Sequence, residues 1–87
     1  MHQPEYSPDA IREEIRRNVS GARGHLQYSQ TAVAERMVNL GFDDWRQQTV
    51  ANVEKGKRRL AAEELLALAR VLETTVSALL SRCAGHA

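Results

Sequence analysis

Apolar residues along this chain return at helical intervals, and no stretch shows the two-residue period of a strand. Ser7-Pro8-Asp9 reads as a helix start. The serine caps free N–H groups, proline needs no donor at the first position, and the acid faces the positive end of the dipole. Ile11, Ile15, Val19 and Ala22 then form a stripe down one face, and Gly24 is predicted to stop the helix. Ser29 is placed to cap a second helix, with Val33, Met37 and Leu40 lining one face beside Ala34 and Gly41 ending it. After a Phe42-Asp43-Asp44 loop, Asp44 and Gln47 have the spacing of a capping box for a third helix. That helix turns Val50 and Val53 inward and stops at Gly56. A fourth, about 62–72, carries Leu65, Leu68, Ala69 and Leu72, with Leu66 flanking. Thr75 caps a short fifth holding Val76, Leu79 and Leu80, and residues after Arg82 are expected to fray.

Five short helices with brief connections predict an all-α fold. Its core must come from Leu, Val, Ile, Met and Ala, because the aromatics are confined to Tyr6, Tyr28, Phe42 and Trp45. Trp45 is expected to pack between the turn and the second helix. Eighty-seven residues suit one core, so 1–87 are read as a single domain with frayed ends at 1–6 and 83–87.

Charge changes the picture through its distribution, since the net value is only +1. Between Arg46 and Leu60 lie Arg46, Lys55, Lys57, Arg58 and Arg59 against the single acid Glu54. Beyond Leu60 that bias disappears. The middle of the chain is therefore suited to face a polyanion. The outer face of the third helix is expected to show Gln47, Gln48, Ala51, Asn52 and Lys55, stacked at four-residue spacing. Planar amides pair bidentately with adenine N6 and N7 in a major groove, and neighbouring cations hold a helix against phosphates.

Other chemistry finds little support. His2, His25 and His86 have no metal-ligand spacing to one another or to Cys83. Ser29 and Ser77 lack a partner base, and no glycine-rich phosphate loop exists, so neither enzyme nor cofactor is expected. A lone cysteine, a start without signal-peptide character and no apolar run near the ~20 residues of a membrane span suggest a cytoplasmic protein.

Several segments together resemble the phage-repressor and Cro-like helix-turn-helix family of the xenobiotic-response-element type. They are Ser29-Gln30, Ala34-Glu35, Thr49 through Lys57, Glu64 through Ala69, and Leu72 through Leu80. The resemblance spans roughly residues 10–80 and implies a lambda-repressor-like fold with its helix-turn-helix core at about 29–56. It implies that Gln47, Gln48 and Asn52 read base edges. It assigns phosphate contacts to Gln30, Arg46, Lys55, Lys57, Arg58 and Arg59. Glu54 looks like the family's edge acid that pairs with an arginine of the first helix, with Arg16, Arg17 and Arg23 as candidates. The segment between Ala34 and Glu54 is longer than the family's usual pattern, and Glu73 stands where glycine is frequent. The implied function is a transcriptional regulator, a repressor, binding double-stranded DNA as a homodimer paired through the last helix. The alternatives are an antitoxin or the DNA-binding or protein-interaction module of a larger regulatory protein.

Overall fold

The computed structural model describes residues 7–81, so the expected frayed ends lie outside the described residues. The described chain forms α1 (Pro8–Leu26), α2 (Gln30–Asn39), α3 (Gln47–Glu54), α4 (Ala62–Val71) and α5 (Val76–Leu80), with no strand among these residues. Three starts follow from hydroxyl caps: Ser7, Ser29 and Thr75 accept from the backbone N–H groups of Ala10, Ala32 and Ala78.

The helix ends share one device. Gln27, Gly41, Gly56 and Glu73 adopt φ of 61°, 105°, 75° and 57°. Each following N–H then closes back on the last turn: Tyr28 to Arg23 (3.2 Å), Phe42 to Met37 (3.1 Å), Lys57 to Asn52 and Thr74 to Ala69 (both 2.9 Å). These are Schellman closures. Glycine serves at two of the three predicted stops, Gly41 and Gly56. Helix α1, however, runs past Gly24 to Leu26 and ends on Gln27.

One core cluster joins all five helices. Val19, Val33, Met37, Val50, Leu68 and Leu79 are fully buried, as the periodicity predicts, and Trp45 is buried with them. Ala34, 3% exposed, sits where α2 and α3 pack closely. α3 also packs on α1, α2 on α4, and α5 on both α1 and α4. The Asn18 amide fixes the last contact by donating to the carbonyls of Leu79 (2.8 Å) and Ser81 (2.7 Å).

Three expected core positions are corrected. Ile11 is 40% exposed: steps of four residues drift about 40° each around a helix, so a stripe centred on Val19 has turned outward two steps earlier. Leu40 is 51% exposed because it follows the last helical residue, where the chain leaves the stripe through Gly41. Leu80 is 43% exposed, leaving Leu79 as the buried residue of α5.

Gln27 and Glu73 hold left-handed backbone without being glycine, at about 1 kcal/mol or more each. Gln27→Gly should therefore raise stability by about 1 kcal/mol and the melting temperature by roughly 4–8 °C. Thermal unfolding followed by circular dichroism reads this directly. A lowered midpoint would contradict the strain. In the opposite direction, Leu68→Ala should cost about 2–5 kcal/mol.

Candidate functional site

The third helix presents the candidate chemistry, and its orientation follows from what it buries. Val50 and Val53 are 0% and 3% exposed, so Gln48, Asn52 and Lys55 lie on the side facing away from the core. Gln47 is exposed at the amino end. Ala51 departs from expectation: at 6% exposure it is buried, and its methyl is closed to an outside ligand. An eight-residue helix flanked by both α1 and α2 buries a wide arc, and Ala51 stands only about 100° from Val50.

The start of α3 also differs. Arg46, not Asp44, is the N-cap residue. The Thr49 hydroxyl accepts from the Arg46 N–H at 3.0 Å, the reciprocal half of a capping box. The connection from α2 is residues 40–46, so the extra length noted in the sequence is loop rather than helix.

A chain of hydrogen bonds sets the first amide. Arg23 of α1 holds Glu54 bidentately, Nε to Oε2 at 2.6 Å and Nη2 to Oε1 at 2.9 Å, and donates its remaining Nη1 to the Tyr28 carbonyl at 2.9 Å. Of the three arginines open in the sequence, Arg23 is the side-chain partner, while Arg16 reaches only the Glu54 carbonyl. The Glu54 side chain is 9% exposed, and its hydrogen bonds to the Arg23 guanidinium push that group's pKa up. A carboxylate only accepts, so Gln30 must turn its NH2 toward Glu54, at 3.1 Å. Its Oε1 is then the group left to accept from Gln47 Nε2, at 2.6 Å. Gln47 keeps its own Oε1 and one N–H for an outside ligand, the donor–acceptor pair that adenine requires. Beside it Gln48 Nε2 donates to Asn52 Oδ1 at 3.1 Å, leaving both Asn52 N–H groups available.

The cations divide. Arg46, Lys55, Lys57 and Arg59 are exposed around the ends of α3. Arg58 is turned inward: Nη1 and Nη2 contact Glu64 Oε1 and Oε2 at 3.1 and 3.0 Å, and its guanidinium carbon lies 5.1 Å from the centroid of the Trp45 ring. Nothing in the sequence marked this pair, whose members are six residues apart across a loop. Between α2 and the start of α3 lies an open depression of about 310 Å³ lined by Thr31, Ala34, Glu35, Trp45, Arg46 and Gln47 among others. No cluster of three or more His, Cys, Asp or Glu suited to a metal ion exists among the described residues. Nor is any helix there long and apolar enough to cross a membrane.

The Glu64 carboxyl is held below its ordinary 4.5, first by hydrogen bonding from Arg58, against the opposing effect of burial, and further by the Ala61 N–H and the Trp45 indole. Asp44 is the other charge acting on Arg58. A depressed folded pKa gives stability that is present above 4.5 and lost as pH falls through the lower folded value. Acid titration of the melting temperature should therefore drop below about pH 4.5, and Glu64→Gln should flatten that limb. An equally steep limb in the variant would assign the acid sensitivity elsewhere.

A family model described as helix-turn-helix matches residues 22–79 of this sequence, from the end of α1 to α5. No curated protein matches the chain. No solved structure does so either.

Proposed function

The chain belongs to the helix-turn-helix family of the phage-repressor and Cro type, with that family's lambda-repressor-like all-α fold, and we propose that it is a sequence-specific repressor reading the major groove with α3. The supporting observation is the outward Gln48–Asn52 pair above a buried Val50 and Val53, with Gln47 poised at the amino end. These three amides read base edges. Arg46, Lys55, Lys57 and Arg59 flank them and meet phosphates, and Gln30, whose second N–H is uncommitted, joins that backbone set. The reading keeps the chain in the cytoplasm, where duplex DNA is accessible.

Pairing on DNA is part of the same proposal. Leu66 and Leu80, on the last two helices, are 51% and 43% exposed and supply apolar surface for a second copy. A symmetric dimer then predicts inverted half-sites about 34 Å apart, one turn of duplex.

Selection of bound duplexes from a random pool tests the reading, returning motif and symmetry together. On the recovered duplex, Gln48→Ala and Asn52→Ala should each cost about 1–3 kcal/mol while sparing random duplex. Equal losses on both would remove the base-reading role. Salt gives an independent measure. Four phosphates neutralised by the four exposed cations predict log K falling against log salt with a slope of about −4. A flat response would eliminate duplex binding by this face.

A further inference from the structure

Resting on the DNA-reading role above, we propose that Glu64, on α4 and outside the pair of helices that meets DNA, is a positioning residue for sequence reading. Its single carboxylate ties down both flanks of α3. Oε2 accepts from the Trp45 indole N–H at 3.2 Å and from Arg58 Nη2 at 3.0 Å. Oε1 accepts from Arg58 Nη1 at 3.1 Å and from the Ala61 N–H at 2.9 Å. Trp45 is the last residue before the N-cap of α3, and Arg58 lies in the loop just past its carboxyl end. The clamp thus closes across the helix from one point on α4.

Each flank needs it for a different reason. On the amino side, residues 40–46 form a connection longer than the three or four residues of a tight helix-turn-helix turn, and length brings slack. Burial of the Trp45 ring together with its bond to Glu64 removes that slack immediately before the helix starts. On the carboxyl side, burial alternates along the loop: Lys57 and Arg59 exposed, Arg58 and Leu60 half-buried. Turning Arg58 inward onto Glu64 fixes the register in which its two neighbours face outward. Arg58, which the family resemblance assigns to phosphate, is paired with Glu64 and orients the two cations beside it. Groups held within about half an ångström of productive geometry are the ones that discriminate, and here that requirement falls on a helix of only eight residues.

The test uses the full chain and two probes, the duplex that the wild-type chain recovers from a random pool and a duplex of random sequence. Glu64→Gln keeps shape but cannot take four donors. It should bind the recovered duplex about tenfold more weakly, the value of one mis-set bidentate contact, and random duplex within about twofold. Trp45→Phe keeps an aromatic ring in the core, removes the indole N–H together with the ring that bears it, and should shift the ratio in the same direction. This second variant decides the matter if the first does not fold. Val71→Ala, buried on α4 away from the clamp, should lower the melting temperature and leave the ratio unchanged, separating positioning from stability. Unchanged discrimination in the clamp variants, or equal losses on both probes, overturns the proposal. If the wild-type chain itself recovers no motif, the reading of DNA by α3 fails, which is a distinct result.

Discussion

An eight-residue helix is marginal in water by itself, because helices shorter than about 12–15 residues lose more in nucleation than they regain in hydrogen bonds. Helix α3 exists because Val50, Ala51 and Val53 are buried against the helices around it. That burial does two things. It supplies the free energy the short segment lacks, and it sets the rotation of the helix about its axis. Turned by half a revolution, Val50 would enter water and the Gln48–Asn52 pair would point into the core. Fold and site are decided by the same contact.

Two arginine–carboxylate pairs bracket the helix and give direction to what surrounds it. At its carboxyl end Glu54 receives Arg23 from α1, and a line of amides carries that charge outward as a fixed orientation, from Gln30 to Gln47. The second pair, Arg58 with Glu64, lies behind the loop and holds Trp45 as well. Both pairs leave their own charges compensated. The uncompensated positive charge near the helix ends therefore belongs to Arg46, Lys55, Lys57 and Arg59, all exposed. A chain with a net charge of only +1 in this way concentrates cations where an anionic partner would approach.

Much of this architecture was legible in the sequence because it rests on local rules. Ser7, Ser29 and Thr75 cap through bonds three residues long, and Gly41 and Gly56 end helices because the closing geometry needs positive φ. Val33, Met37, Val50, Val53, Leu68 and Leu72, the main inward positions from α2 to the end of α4, followed from period alone. What escaped was set by tertiary neighbours. Ala51 is buried because α3 has partners on two sides, whereas periodicity assumes one. Gln27 takes a left-handed conformation that no side-chain preference announces, and α1 consequently outlasts Gly24. Asp44 had the spacing of a cap, yet the loop delivers Arg46 to that position. Of the candidate site, Gln47, Gln48 and four of the cations are exposed as expected and Asn52 is half-buried, while Arg58 faces in, because its partner lies across a loop where no helical spacing brings residues together. The choice of Arg23 over Arg16 and Arg17 likewise needed the distance between helices.

Trp45 is the one tryptophan of the chain, and it is buried at the point where loop, α4 and Arg58 meet. Indole emission responds to nearby charge and to hydrogen bonding at its nitrogen, and here both come from the groups next to α3. The protein thus carries an intrinsic optical probe where the loop runs into α3. Excitation at the red edge of the ultraviolet band, where Tyr6 and Tyr28 no longer absorb, reports on that junction alone, and any change in its geometry becomes visible in real time.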